Sequence, residues 1–334
     1  MKIKQIPEDF QVKEIIKMKL EEGPYTYLKI KKKQWTTFEI IKKIGFELKI
    51  KEKRLSFAGI KDKQAITEQI ISIFKIPKNC LKNIKIKGLK IEILGTGKEK
   101  IHSGLLAGNE FVITVRNLIH SSKLDIRNMP NYFDSQRFGK NSTNHIAGKA
   151  LIKKDFQKAC QLLDFKVENN DYVKALKKNL KLLKLILNSY QSYIFNQVLA
   201  EYVKSKSPVY KEIKTKFGKL IFSSYYDNIK IPLLSFDTQI KGPAKAIYQN
   251  ILESEGISQK DFIIRQMPEL LTLTHFRQGF VKILDLKSEI QKDELNPNRL
   301  KQIFRFRLPK GSYATIAIKA FFYLKISKKI TSKE

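Results

Sequence analysis

The chain has 334 residues, of which 42% are hydrophobic, enough for a substantial core, and this excludes a wholly disordered protein. The 65 Lys and Arg residues against 32 Asp and Glu give a net charge of +33, which favours a polyanionic partner such as nucleic acid. Only nine of the basic residues are Arg, so an AT-rich genome is another source of this charge.

Cysteine usage and hydropathy indicate the compartment. Cys80 and Cys160 form neither a disulfide framework nor a zinc motif, which fits a reducing environment. The first residues lack the apolar stretch of a signal peptide, and no run approaches 18 uninterrupted apolar residues. We therefore expect a soluble, cytoplasmic protein without a membrane partner.

The first 120 residues predict alternating short strands and helices. Residues 25–31 alternate as a strand does, and Thr37 is predicted to cap a helix that ends at Gly45. Residues 84–93 predict paired or successive strands with one solvated face, and residues 111–115 continue the alternation.

The pattern changes near residue 145. Helical periodicity covers residues 146–165, 172–187 and 192–203. A stretch with strand propensity follows over 217–231, and then a helix over 244–255.

Near the C-terminus the chain returns to a strand. Residues 304–308 alternate, residues 309–311 predict a turn, and Ser312 is predicted to cap a helix over 314–322. A helix-rich middle between two strand-bearing ends indicates an inserted domain rather than two domains in tandem.

Common catalytic motifs are absent. The segment Gly95-Thr96-Gly97-Lys98 lacks the first glycine of a phosphate loop and is followed by Glu99, so a hairpin turn is the better interpretation. The four histidines have no metal-binding spacing, and no nucleophile elbow or Rossmann loop is present. A metal enzyme or a dinucleotide enzyme is disfavoured.

A first polar cluster covers residues 57–69. Asp62 lies between Lys61 and Lys63, and nearby cations favour the ionised carboxylate that a nucleophile or base requires. Gly59 allows a close approach of backbone or substrate. On composition alone, a solvated Lys-Asp-Lys turn is the favoured interpretation of the segment.

A second cluster covers residues 131–139 and contains three aromatic rings, two amides and one Arg. Aromatic faces stack on unpaired bases, amides read base edges, and a guanidinium binds phosphate in a fixed fork. The alternative is a turn whose aromatic residues fill the core.

These clusters together resemble the TruD family of tRNA pseudouridine synthases. The family carries a G-x-K-D-K-x-A-x-T-x-Q segment and an N-Y-F-x-x-Q-R-F-G segment, and both are intact here. Four further segments are similar to family motifs, in the family's order, namely residues 6–14, 104–111, 195–197 and 308–315. Asp134 departs from the usual Gly, and Lys319-Ala320 from the usual Arg-Glu.

The resemblance implies an α+β fold, the pseudouridine-synthase fold, with a mixed, mainly antiparallel sheet and flanking helices. It implies a discontinuous catalytic domain over residues 1–149 and 293–334. An inserted α/β TRUD domain would cover residues 150–292.

The resemblance also assigns site residues. Asp62 falls at the catalytic nucleophile, and Phe133 falls where an aromatic ring stacks on the target base. Lys4 falls at a lysine expected near the aspartate. The remaining substrate-binding residues are Phe10, Lys61, Asn131, Gln136, Arg137 and Tyr313, and no residue is assigned to a metal.

The implied activity is isomerisation of a tRNA uridine, with uridine 13 the expected target, to pseudouridine. The reaction needs no cofactor, and no obligate protein partner is inferred. The alternative is a catalytically silent RNA-binding or RNA-folding protein on the same scaffold. Whether Asp62 attacks C1′ of the ribose or C6 of the base stays open.

Overall fold

A computed structural model describes residues 1–81, 84, 86–122 and 126–324. The chain divides into two compact units. Unit 1 consists of Met1–Arg127 and Ile283–Gly311, and unit 2 consists of Asn128–Lys282 and the segment from Ser312 onward. These units are defined by packing alone. The catalytic domain over residues 1–149 and 293–334, and the insertion domain over residues 150–292, therefore stay predictions.

Unit 1 is built on one mixed sheet. Its strands are β1 (Lys2–Ile3), β2 (Phe10–Ile16), β3 (Tyr25–Lys33), β4 (Leu55–Phe57), β5 (Ile66–Phe74), β6 (Leu89–Gly97), β7 (Leu106–Leu118), β14 (Leu284–Lys292) and β15 (Leu300–Pro309). Its helices are α1 (Thr37–Glu47) and the short α2 (Lys78–Leu81).

The strand order is β14-β15-β7-β2-β5-β3-β6, with β1 paired to β7 and β4 to β5. Only β2 and β5 pair in parallel among these strands, so the sheet is mixed and mainly antiparallel, as expected. The parallel pairing places β2 beside β5, the strand that follows the turn between β4 and β5, in which Asp62 lies.

Successive side chains of β3 point to opposite faces of this sheet, as the period of two in a strand requires. Leu28 and Ile30 are buried and pack with Ile40 and Ile44 of α1 in one apolar cluster. On the other face Lys31 is exposed. The strand therefore buries one face beneath α1, and Lys31 of its other face reaches solvent.

Unit 2 is rich in helices. Its helices are α3 (Asn144–Ile152), α4 (Phe156–Leu162), α5 (Tyr172–Lys177), α6 (Leu180–Lys206), α7 (Lys245–Glu255) and α8 (Ala314–Tyr323). Three antiparallel pairs accompany them, formed by β9 (Lys211–Thr215) with β10 (Gly218–Phe222), β11 (Lys230–Leu233) with β12 (His275–Gln278), and β8 (Asn128–Pro130) with β13 (Phe280–Lys282).

Helix α6 is the core of unit 2. It contacts α3, α7, β10 and β11, and its central residues are buried on several sides. A helix that is surrounded in this way needs apolar residues around most of its circumference, which explains its weak amphipathicity. Within the described ranges, no helix is both long and apolar enough to cross a membrane.

Several predicted elements are confirmed. The strand over 25–31 and the strand over 304–308 lie within β3 and β15, and residues 111–115 lie within β7. The helix over 244–255 is α7, and Gly256 ends it with a φ of 61°, the left-handed conformation that glycine adopts without cost.

Two predicted caps are wrong. Thr36, not Thr37, caps α1, and it exchanges hydrogen bonds with Glu39 in a capping box. The helix passes through Gly45 and ends at Glu47. Tyr313, without a side-chain cap bond, precedes α8, so Ser312 is not its cap.

Other boundaries also differ. The helix over 146–165 is two helices, α3 and α4, whereas the periodic stretches over 172–187 and 192–203 resolve into α5 and the single long α6. Ile84 and Ile86 lie outside any strand and residue 85 lies outside the described residues, so among the described residues of that prediction only 89–93 form a strand. Gly95 and Gly97 belong to β6 rather than to a hairpin turn, because β6 continues its pairing with β3.

Candidate active site

Asp62 lies in the turn between β4 and β5, at the surface of unit 1. Lys4 Nζ donates to Asp62 Oδ2 over 2.6 Å, and the Asp62 side chain is 32% exposed. The same ammonium lies 4.0 Å from the centre of the Phe10 ring. Three predicted site residues, Lys4, Phe10 and Asp62, are therefore neighbours.

The backbone at Lys4 is unusual. Its φ is 60°, a left-handed conformation that costs a non-glycine residue about 1–2 kcal/mol. The next two amides compensate, because Gln5 N and Ile6 N both donate to Asp9 Oδ2, at 3.0 and 3.1 Å. The turn thus holds the Lys4 side chain toward Asp62.

Asp9 is itself fixed by a buried guanidinium. Arg116 Nε donates to Asp9 Oδ1 and Arg116 Nη1 donates to Asp293 Oδ1, both over 2.8 Å. All three side chains are almost fully buried. Charged groups removed from water need such pairing, so the network explains the presence of an aspartate at position 9, within the motif over residues 6–14. It joins the first turn of the chain to β7 and to the loop after β14.

The lysines beside Asp62 bind other carboxylates. Lys61 Nζ donates to the fully buried Glu14, and Lys63 Nζ donates to Glu39 over 2.9 Å. Each ammonium therefore anchors the turn to a neighbouring element. Burial raises the pKa of Glu14, against the lowering effect of Lys61.

The backbone of the turn is held from below. Thr37 Oγ1 accepts from Lys61 N over 3.0 Å and donates to Gln69 Oε1 over 3.0 Å. This bond explains why Thr37 is buried at the start of α1 although Thr36 provides the cap. It links α1, the turn and β5 through one hydroxyl.

Lys32 is a further contact that the sequence reasoning missed. Its Nζ donates to the backbone oxygens of Trp35, Asp62 and Lys61 over 2.6, 2.9 and 3.5 Å. Burial lowers the pKa of Lys32 to about 8. The sequence contained one signal for this burial, because the alternation of a strand places Lys32 on the same inward face of β3 as Leu28 and Ile30.

In unit 2, Asn131 lies at the end of β8 and is bound by Arg277 of β12. Arg277 Nε donates to Asn131 O over 3.0 Å, and Arg277 Nη2 donates to Asn131 Oδ1 over 2.7 Å. The Asn131 amide donates to Gln278 O over 3.0 Å. Burial lowers the pKa of Arg277 to about 10, so the fork is charged at neutral pH. The sequence reasoning did not single out Arg277.

Phe133 lies among rings and guanidinium groups in unit 2. Its ring meets Phe195 and Tyr313 edge to face, with centres 5.4 and 6.0 Å apart. The guanidinium carbon of Arg277 lies 4.1 Å from the ring centre, and that of Arg137 lies 5.3 Å away. Since Phe133 is 6% exposed, a base could stack on it only after a neighbour moved.

The remaining predicted residues differ in exposure. Arg137 Nε donates to Ser192 Oγ over 2.9 Å, and burial lowers the pKa of Arg137. Gln136 is exposed. Asp134 has a φ of −108°, an ordinary extended conformation, so the glycine that is usual at this position is not required by backbone geometry.

Across residues 1–81, 84, 86–122 and 126–324, no three His, Cys, Asp or Glu side chains are grouped so that they could hold an ion. The site presents the partly accessible Asp62 carboxylate, which is paired with the Lys4 ammonium. The turn that carries Asp62 is held by contacts with Glu14, Lys32, Thr37 and Glu39.

The chain is similar to known proteins along most of its length. The family model described as tRNA pseudouridine synthase D (TruD) matches residues 1–166 and 161–321. A relative from Nanoarchaeum equitans, named as a probable tRNA pseudouridine synthase D, is 33% identical, with 96% of this chain and 98% of the relative aligned. A relative from Methanocaldococcus jannaschii with the corresponding name is 31% identical over 98% and 93% of the two chains.

A solved structure supports the fold. The crystal structure described as a tRNA pseudouridine synthase D from Methanosarcina mazei superposes with a TM-score of 0.73 and 26% identity, covering 96% of this chain and 92% of that one. The fold and the matches define an isomerase of the pseudouridine synthase class. The chain belongs to the TruD family of tRNA pseudouridine synthases.

Proposed function

We propose that this protein converts a uridine of tRNA, expected to be uridine 13, into pseudouridine, and that Asp62 is the catalytic nucleophile. The observation that carries the proposal is the ion pair between Lys4 and Asp62, with its 2.6 Å contact. Asp62 stands at the aspartate of the family segment, is partly accessible, and is paired with the Lys4 ammonium. A carboxylate that attacks a substrate must be reachable, and a neighbouring activating group is typical of such nucleophiles.

The chemistry suits such a carboxylate. The glycosidic bond between C1′ and N1 breaks, and a bond between C1′ and C5 of the same base forms. The proton on C5 leaves and N1 gains a proton, so no electrons are exchanged with another molecule. Asp62 would add either to C1′ of the ribose or to C6 of the uracil, and both routes give the same product.

The substrate must present its uridine outside the base stack. Extrusion of a base costs a few kcal/mol, which contacts in the enzyme have to offset. We assign this binding to Phe10, Asn131, Phe133, Gln136, Arg137 and Tyr313, the residues that match the family's substrate-binding positions. The net charge of +33 would supply salt-sensitive attraction to tRNA phosphates.

Lys61 takes a different part in this proposal. Its ammonium is bound to Glu14 and almost fully buried, so its contribution to substrate binding would be indirect, through the shape of the Asp62 turn. Lys4 remains in direct contact with Asp62. It would stabilise the carboxylate before attack and again when the carboxylate leaves.

Release of tritium from C5 of labelled uridine in tRNA tests the activity. Wild-type protein should release one tritium per modified site, and a tRNA transcript with uridine 13 replaced by cytidine should release none from that site. Binding of tRNA without any tritium release would instead identify a catalytically silent RNA-binding protein. Release that persists in the uridine 13 variant would move the target to another position.

A further inference from the structure

Three consecutive lysines end strand β3, and only the middle one points inward. Lys32 is 1% exposed, whereas Lys31 and Lys33 are exposed. An ammonium has three N–H donors and no acceptor. The three backbone oxygens within reach, those of Trp35, Asp62 and Lys61, therefore match its full hydrogen-bonding capacity.

Two of these oxygens have a special relation to Asp62. The Lys61 carbonyl belongs to the peptide that precedes the Asp62 Cα, and the Asp62 carbonyl belongs to the peptide that follows it. Fixing both peptides fixes the two backbone dihedrals of Asp62, and these dihedrals set the direction in which its side chain leaves the backbone.

We propose that Lys32 is a positioning residue for Asp62, which holds the peptides on both sides of this residue and so aims its carboxylate. This inference rests on the proposed function of Asp62. The Lys32 ammonium acts in this proposal through the backbone oxygens to which it donates.

The burial of an ammonium is costly, which argues for a specific role. An apolar side chain at this position would continue the core of Leu28 and Ile30 without that cost. Burial lowers the pKa of Lys32 to about 8. The charged groups that face it are the Asp62 and Glu39 carboxylates and the Lys61 ammonium, while its strand neighbours Thr67 and Leu89 carry no charge.

This pKa gives the proposal a pH signature. Below about pH 8 the side chain is an ammonium with three donors. Above it, the neutral amine has two N–H donors, which cannot serve three carbonyl oxygens. The turn should therefore loosen as pH rises through this range, and the isomerisation rate should fall.

The experiment compares Lys32→Met, Lys32→Arg and Lys31→Met in the full-length protein. Lys31→Met removes the same charge from the exposed face of the same strand and is the matched control. The measurements are the single-turnover rate of tritium release at saturating enzyme, the Kd for tRNA, and amide hydrogen exchange of the peptide over residues 59–64.

We expect Lys32→Met to lower the single-turnover rate on the order of 10²-fold, since a misplacement of about 1 Å has this effect. Its Kd should stay within a few-fold of wild type, and exchange over 59–64 should accelerate. Lys31→Met should match wild type in all three measurements. Lys32→Arg, which stays charged, should recover part of the rate and lose the fall above about pH 8.

A folded Lys32→Met protein with a rate near wild type, or an equal loss in Lys31→Met, would overturn the proposal. If Lys32→Met does not fold, the pH dependence of the wild-type isomerisation rate tests the proposal instead. A rate that stays constant from pH 7 to about 10 contradicts the proposal. If wild type releases no tritium, the proposed function fails. The protection of the amides over 59–64, meaning their exchange rate relative to the intrinsic rate at the same pH, then tests the positioning alone. Unchanged protection in Lys32→Met or, where that variant does not fold, in wild type from pH 7 to 10 would refute the proposal.

Discussion

Lys319 Nζ of α8 donates to Asp134 Oδ1 over 2.6 Å. The resemblance leads us to expect a glycine at position 134 and an arginine at position 319, so the contact joins two departures from that expectation. Asp134 Oδ1 also accepts from Ser135 N over 2.8 Å. The aspartate is almost fully buried, so the lysine supplies the charge partner that its burial requires.

The pair should be energetically coupled. Lys319→Met is expected to lower the free energy of unfolding by about 1–3 kcal/mol, less than for a fully buried pair because the lysine is partly exposed. Asp134→Asn, which keeps an acceptor for Ser135 N, should then cost less in the Lys319→Met background than in wild type. Chemical denaturation of the four proteins gives the coupling energy. Strictly additive effects would show that the two side chains do not depend on one another.

Asp62→Asn should lose isomerisation by a factor on the order of 10³ or more. Its tRNA affinity should stay within a few-fold of wild type, because the change removes a nucleophile and no phosphate contact. Asp164→Asn removes one carboxylate from an exposed position and serves as the control. Tritium release and a tRNA binding titration measure both effects. Turnover of Asp62→Asn near the wild-type rate would end the assignment of Asp62 as nucleophile.

Arg277→Lys should destabilise the protein although it keeps the charge. The fork that binds both oxygens of Asn131 would be lost, at a cost of about 1–3 kcal/mol for acceptors left without a donor. The exposed Arg265→Lys should stay within about 0.5 kcal/mol of wild type. Denaturation curves compare the two variants. Equal stability of both would mean that the guanidinium geometry at Asn131 is dispensable.

Glu39 gives a pH-dependent prediction. The hydrogen bond from Lys63, followed by those from Thr36, lowers the pKa of Glu39 from 4.5 to about 2. A depressed carboxylate pKa contributes stability that is complete above the unfolded value and is lost as pH falls through the folded value. The Tm difference between wild type and Glu39→Gln should therefore be constant from pH 7 to 5 and shrink toward pH 2. A difference that is the same at both ends of this range would contradict the prediction.

Local patterns determined much of this protein. Alternation located β3, β7 and β15, because a strand with one buried face must place apolar residues at every second position. Gly256 located the end of α7, because its left-handed backbone suits glycine. The Lys-Asp-Lys segment directed attention to Asp62, and the order of motifs identified the family. These features depend on residues that are neighbours in sequence.

Tertiary structure alone decided the partners of the charged side chains. Lys61 and Lys63 flank Asp62 in sequence, yet their ammonium groups bind Glu14 and Glu39, which belong to other elements. The cation on Asp62 comes from Lys4, 58 residues away along the chain. A charge selects its partner by distance and by burial, and sequence order specifies neither. For the same reason, a run of lysines that would be expected to be solvated holds one buried ammonium beneath the Asp62 turn.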